Sequence, residues 1–327
     1  MNNEFIHIKN LSVGYSQAVC SNISAEVKKG ELVGLAGKNG SGKSTLIKSI
    51  LGLLPLLNGK IEINSENIQQ WDVQKRAREI AVVFSRLSQT PGIPVFDMVA
   101  LGRLPYKSGF SKLNLIEING IENALEMVGI PHLKNRLANE LSDGQLQMAM
   151  IARALVQDTQ IVIMDEPTSH LDIENQFKIF ELIYKLSRET GKTFIVASHQ
   201  IELLLQNSTQ LWWIDNGNFH AGFPEQIAYE QRIFEKLSQE KIKFDYQTGN
   251  FKFHHPKNKS VNLISDGSDL AYWVKHALER NGFELESNSD LEIKIFQNKF
   301  HLNNSTFESI QNLIEFLKKH QCKKTSS

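Results

Sequence analysis

The sequence predicts an α/β fold: a mixed, mostly parallel sheet with a helical subdomain, followed by a small C-terminal α+β domain. Three observations carry this. Buried-strand runs at Glu31–Ala36, Gln160–Met164 and Lys192–Ala197 alternate with helix-like stretches. A Gly-rich loop joins the first of these strands to a helix. After about residue 228 the pattern changes to short strands and amphipathic helices in a new order.

Taken in order, EFIHIKNLSVGY and NISAEVKKGELVGLAG, residues 4 to 37, show β-type alternation around a Lys28-Lys29-Gly30 turn. Glu31–Ala36 is nearly all apolar, as suits a strand covered on both faces. STLIKSILGLL has helical spacing and stops near Gly52 and Pro55. KIEIN and IAVVF are short strands flanking a helix-like WDVQKRARE, and residues 86 to 140 are mostly helical, with LIEINGIENALEMVGI the clearest amphipathic segment. LQMAMIARAL and ENQFKIFELIYKLSRE flank the strand that ends before Asp165, and TFIVAS leads to His199. Such alternation places ligands at the carboxyl ends of the strands.

Beyond residue 228, turn signals occur at 248–250 and 255–260. SVNLIS, DLAYWVKHALERNGF, LEIKIFQNKFHL and STFESIQNLIEFLKKH then read as β, α, a β-hairpin and α. The expected domains are residues 1–228, with a helical subdomain over about 86–155, and 229–327. Tyr272, Trp273 and Leu278 are expected in the core of the second. His254, His255 and His276 are read as surface or packing residues, since adjacent strand histidines point to opposite faces.

At 327 residues the chain is long enough for two domains. Its 41% hydrophobic and 22% charged residues exclude a disordered or collagen-like chain. Lys plus Arg and Asp plus Glu are both 36, so no net field draws the molecule to nucleic acid or an anionic membrane. Cys20 and Cys322 form no disulfide framework or metal spacing, which fits a reducing compartment. The N-terminus lacks a signal-peptide pattern, and no run approaches the roughly 18 apolar residues of a spanning helix. The expectation is a chain neither exported nor embedded, with any membrane role exerted through a partner.

Gly37-Lys38-Asn39-Gly40-Ser41-Gly42-Lys43-Ser44 satisfies G-x-x-x-x-G-K-[ST] between a strand and a helix. Its glycines let successive backbone N–H groups converge on phosphate oxygens, and the following helix adds its positive end. Lys43 can neutralise the β- and γ-phosphates, and the Ser44 hydroxyl can coordinate Mg2+. Asp165 and Glu166 close an apolar strand; the first suits the metal, usually through water, and the second an attacking water. His199 follows a buried strand at the same sheet edge, where a neutral imidazole can hydrogen-bond a γ-phosphate or hold that water.

Leu141-Ser142-Asp143-Gly144-Gln145 resembles the LSGGQ signature of ATP-binding-cassette (ABC) ATPases, and Ser169-His170-Leu171-Asp172 resembles their D-loop. Phosphate loop, signature, Asp-Glu pair and His occur in the family's order across about residues 4–228. The resemblance implies ATP hydrolysis with Mg2+ by two copies of the chain arranged head to tail, each ATP lying between one phosphate loop and the partner's signature. It implies nucleotide contacts at Tyr15 (adenine stacking), Gly37, Asn39, Gly40, Ser41, Gly42, Lys43, Ser44, Thr45, Ser142, Gly144, Gln145 and Asp172. Glu166 and His199 become catalytic, and Ser44 and Asp165 hold the metal. Two positions depart from the family: Asp143 stands where Gly is usual, and Arg86 stands where a Gln is normal, with Gln89 three residues on. An Arg cannot ligate Mg2+.

VFDMVALGRLPY, at 95–106, is similar to a run in importer ATPases for ferric siderophores, haem and cobalamin. In that family the region receives a cytoplasmic helix of the permease. Here Phe96, Val99, Leu101 and Leu104, flanked by Arg103 and Lys107, would offer the surface. The resemblance implies an importer subunit at the cytoplasmic face of the plasma membrane, partnered by a polytopic permease and indirectly a substrate-binding protein, with no nucleic acid. A soluble ABC ATPase and an exporter subunit are the alternatives. By analogy with importers that carry C-terminal extensions, residues 229–327 would regulate or help dimerise the ATPase.

Overall fold

The computed structural model describes residues 4–84, 92–107, 112–238, 242–246, 249–253, 259–265, 267–296, 299–303 and 305–321. Arg86, Gln89, His254, His255 and Cys322 therefore lie outside the described residues. The chain divides into two compact units, Met1–Ile233 and Phe234–Ser327.

The first unit runs β1 (Glu4–Gly14), β2 (Ala18–Lys28), β3 (Leu32–Gly37), α1 (Lys43–Ile50), β4 (Asn58–Ile63), β5 (Glu66–Asn67), α2 (Val73–Glu79), β6 (Ile80–Phe84) and α3 (Val95–Ala100). It continues through α4 (Leu115–Met127), α5 (Asp143–Val156), β7 (Ile161–Asp165), α6 (Ile173–Thr190), β8 (Thr193–Ala197), α7 (Ile201–Asn207), β9 (Gln210–Asp215), β10 (Asn218–Gly222) and α8 (Pro224–Glu230).

Its larger sheet has the order β10-β9-β3-β8-β7-β6, parallel except for β10. Every residue of β3 and β8 is buried, which explains why their sequences are continuously apolar rather than alternating. The second sheet, β2-β1-β4-β5, is antiparallel, and β2 alternates buried and exposed as a one-sided strand must. Leu46, Ile47 and Ile50 of α1 share one core with Val13, Ile23 and Ile61 of the antiparallel sheet and Leu35, Trp212 and Ile214 of the parallel sheet. The helix that begins at the phosphate loop is thus held by both sheets. α3, α4 and α5 pack on one another as the helical subdomain.

The sequence pattern places a domain break at 228, whereas the compact unit extends to Ile233. The reason is α8: Pro224 sits in its first turn, and the helix packs back on β9 and β10.

A short helix, α9 (Ile233–Leu237), crosses the division, and the second unit continues with β11 (Ile242–Asp245), β12 (Asn250–Phe253), β13 (Lys259–Ile264) and α10 (Asp269–Arg280). It then forms β14 (Phe283–Leu285), β15 (Glu292–Phe296), β16 (Lys299–Leu302), β17 (Ser305–Phe307) and α11 (Ile310–Gln321). The sheet order is β14-β13-β15-β16-β17, with β13 parallel to both neighbours and the remaining pairs antiparallel. Val261, Val274, Leu278, Phe283, Ile293 and Leu313 centre its own core.

Turn signals at 248–250 fall where β11 gives way to β12, and the two strands pair antiparallel, Ile242 with Phe253 and Phe244 with Phe251. One expectation is corrected here. Leu278 is fully buried, but Tyr272 and Trp273 are 56% and 58% exposed and are not core. The buried stripe of α10 is Ala271, Val274, Ala277 and Leu278, and the two aromatics fall outside it at helical spacing.

Candidate functional site

Strand register gathers the site. Leu35 pairs with Ala197 and Asp165 pairs with Ala197, so β3, β8 and β7 end side by side. From these ends emerge the phosphate loop, the Asp165-Glu166 pair and Ser198-His199, as the βα pattern of the sequence requires.

The loop is shaped by glycine at positions where a side chain would be strained or crowded. Gly40 and Gly42 adopt φ of 75° and 110°, and Gly42 sits at the N-cap of α1. A Cβ at Gly37 would lie 2.5 Å from the Ile214 carbonyl oxygen and 2.6 Å from Ser41 Oγ. Lys43 is only 6% exposed, and its Nζ donates to the carbonyls of Gly37 (2.9 Å) and Lys38 (3.4 Å), strapping the loop from within. Burial pushes the Lys43 ammonium below its usual range, while Glu166 and Asp165 pull it back up. Asn39 is exposed on the loop, and Ser41 Oγ is buried there without a hydrogen-bond partner. Thr45 lies half-buried in the first turn of α1.

Opposite the lysine, Ser44 Oγ donates to Asp165 Oδ1 at 3.4 Å. Glu166 sits in the left-handed region at φ 54°, an uncommon conformation for a residue with a side chain. It is held there by its N–H donating to the Ala197 carbonyl at 2.9 Å. Its Oε2 accepts from the His199 backbone N–H at 3.3 Å. Its Oε1 lies 3.0 Å from His199 Nε2, yet the alignment is too poor for a hydrogen bond, and this oxygen is buried without a partner. Burial raises the Glu166 carboxyl above the ordinary range, against the lowering pull of Lys43. Burial and the Lys43 charge both lower the His199 imidazole, keeping it neutral near pH 7.

A second cluster forms at the start of α5 and α6. Ser142 caps α5 in a reciprocal box with Gln145: Gln145 N–H donates to Ser142 Oγ at 3.3 Å, and Ser142 N–H to Gln145 Oε1 at 3.2 Å. Asp172 caps α6 by accepting from the Asn175 N–H at 2.8 Å. A Cβ at Gly144 would meet the Asn175 side chain at 3.1 Å, so the two helix starts are in close contact. Asn175 was missed from sequence; its place one turn beyond a capping Asp was the available signal. Asp143 is exposed, which explains why a carboxylate is tolerated there. Tyr15 is 63% exposed in the turn between β1 and β2.

The 95–106 stretch differs from expectation. Of the four apolar residues expected at the surface, Val99 is buried and Phe96 half-buried, whereas Leu101 and Leu104 are exposed. Arg103 and Lys107 are not free flanking cations: Glu117, itself 9% exposed, pairs with Lys107 at 2.6 Å and lies 3.7 Å from Arg103. These pairs and the Asn114 N–H hold the Glu117 carboxyl below its usual range.

Residues 20–169 match the family described as ABC transporter, and residues 258–318 match the iron ABC transporter C-terminal domain. An uncharacterized ABC transporter ATP-binding protein of Methanocaldococcus jannaschii is 33% identical over 276 residues, covering 82% of this chain and 95% of that protein. The ferric enterobactin transport ATP-binding protein of Escherichia coli is 33% identical over 226 residues, covering 68% and 83%. Among solved structures, the dimeric post-hydrolysis state of an ATP-binding cassette bound to ADP and Pi superimposes with a TM-score of 0.59 at 27% identity, covering 67% of this chain and 98% of that one.

Proposed function

The chain belongs to the ABC transporter ATP-binding proteins, and we propose that it is the ATPase subunit of an importer for ferric siderophores or a related iron chelate. ATPase activity follows from the family. The iron assignment is supported by the C-terminal family match and by the ferric enterobactin relative. No helix among the described residues is long and apolar enough to cross a membrane. By the importer reading, this subunit works at the cytoplasmic face through a polytopic permease, with a substrate-binding protein delivering the cargo.

One observation carries the site assignment: Lys43, Ser44, Asp165, Glu166 and His199 converge at the ends of three adjacent parallel strands. Backbone N–H groups of residues 37–45 and the start of α1 cradle the ATP phosphates, with Lys43 turning from its loop carbonyls to the β- and γ-oxygens. The Ser44 hydroxyl and Asp165 carboxylate converge as hard oxygen donors, a set that fits Mg2+. When bound, that ion neutralises charge on the phosphate oxygens. Glu166 takes the proton of the attacking water at its unpartnered Oε1, and its raised pKa brings it closer to the working pH of a general base. Neutral His199 positions that water or the γ-phosphate.

Tyr15 stacks on adenine. Ser142, Gly144, Gln145 and Asp172 act across a head-to-tail dimer, closing the other face of the partner's nucleotide. Residues 1–228 supply this cassette, and residues 229–327 form an extension that regulates it or aids dimerisation.

The test uses the Glu166→Gln chain, tagged at native level and purified from solubilised membranes with ATP and Mg2+. Recovery of a permease, together with loss of ferric-chelate uptake in the variant strain, is expected. Recovery from the soluble fraction with ribosomes or nucleic acid would keep the ATPase and overturn the transport role.

A further inference from the structure

The second unit holds a cavity of about 400 Å³, within the size range of small-ligand sites. It lies outside the carboxyl ends of the parallel strands β13 and β14, and its other wall is α10. From β13 the chain leaves through α10 to β14 on one side, while β15 pairs on the other side and leads away to β16. In parallel sheets, crevices outside the carboxyl ends of strands whose connections diverge are the preferred binding places.

One wall of the cavity is a single face of α10 and its N-cap. Ser268, Ala271, Tyr272 and Lys275 fall at i, i+3, i+4 and i+7, so a hydroxyl, a methyl, an aromatic ring and an ammonium form a single stripe. The strand side contributes Leu263 and Leu285 as an apolar floor and Glu286 at the rim. Neither Lys275 nor Glu286 has an ion-pair partner among the described residues, whereas Lys252, Lys294 and Lys299 of the same unit pair with Asp245, Glu292 and Glu308. Tyr272 is more than half exposed, yet its ring is braced by Trp273 at 5.2 Å and His276 at 6.5 Å. An exposed ring that lines a cavity with an apolar floor offers a stacking surface.

A cation, an anion and an apolar trough in one cavity complement a zwitterion with an apolar body. We propose that this cavity binds a free α-amino acid with an apolar or aromatic side chain. Its carboxylate meets Lys275, its ammonium meets Glu286, and its side chain lies between Tyr272 and the two leucines.

Calorimetric titration of the full chain tests this with L-phenylalanine, L-leucine and L-methionine. Two controls accompany them: 3-phenylpropionate, which lacks the ammonium, and 2-phenylethylamine, which lacks the carboxylate. At least one amino acid should bind saturably, one per chain, and both controls should bind at least about tenfold more weakly than L-phenylalanine. Lys275→Ala and Glu286→Gln should each weaken the binding by about tenfold while ATP turnover stays at the parent's level. No saturable binding of any of the three amino acids overturns the proposal. Equal affinity for the controls, or binding indifferent to both substitutions, overturns it too.

Discussion

Both units build one local device, a parallel strand followed by a helix, in the first from β3 into α1 and in the second from β13 into α10. The two differ in what neighbouring strands deliver. Beside β3, the ends of β7 and β8 bring two carboxylates and an imidazole against a lysine that is 6% exposed. Beside β13, Glu286 follows the end of β14 and lines the same cavity as Lys275, and both charges remain exposed. Desolvation separates a site built to do chemistry from one built to hold a ligand. It moves Lys43, Glu166 and His199 off their ordinary pKa values.

The strongest way to break this contrast is Lys43→Ala. It should abolish measurable nucleotide binding and lower ATP turnover by about 10³-fold or more, because the γ-phosphate would lose the buried Lys43 ammonium. Amino-acid binding at the second edge should not change. Equilibrium binding of labelled ATP beside the calorimetry above reads both edges in one preparation.

Glu166→Gln comes next: turnover should fall roughly 10²–10⁴-fold with ATP binding retained. Burial holds this carboxyl above its usual range, so the folded chain binds the proton more tightly than the unfolded chain does. Its contribution to stability is fully present below the unfolded pKa of about 4.3 and is lost as pH rises through the raised value. The Gln variant should therefore gain stability over the parent as pH rises above about 4. Parent turnover should rise over the same limb, since the base must be ionised. Parallel pH series of denaturation and of turnover check both signs, and a stability difference that shrinks with pH would refute the assignment.

Much of the first edge was legible because the loop motif, the Asp-Glu pair and the His each sit at the end of a continuously apolar strand. Parallel topology then places all three at one edge. The strain at Glu166 was not legible, because its φ is set by a hydrogen bond to Ala197, 31 positions away in the chain. Nor was the Gly144–Asn175 contact, which depends on how two helix starts meet. In the 95–106 run, Arg103 and Lys107 look like free cations until folding brings Glu117 between them.

That helix contact gives a smaller effect. Gly144→Ala should cut turnover by about tenfold if the signature closes on a partner's nucleotide. Stability should move by less than ~1 kcal/mol, since Ala favours the helix while its Cβ crowds a side chain that can give. Thermal denaturation and turnover at saturating ATP separate the two, and an equal loss of both would mean the glycine serves only packing.

The smallest expected change is the loss of an exposed ring at the second edge, where aromatic residues were expected inside. Tyr272 and Trp273 stand on the exposed side of α10, while Leu278 is fully buried in the core with Val274 and Phe283. Removing a buried leucine loses its transfer energy and leaves a cavity, so Leu278→Ala should cost ~2–5 kcal/mol. Tyr272→Ala and Trp273→Ala remove rings that touch mainly each other and His276, and each should change stability by less than ~0.5 kcal/mol. Denaturant titration of the three variants ranks them. Should Tyr272→Ala prove as costly as Leu278→Ala, its ring would be a structural strut, and the reason for its place in the cavity wall would be packing rather than a ligand.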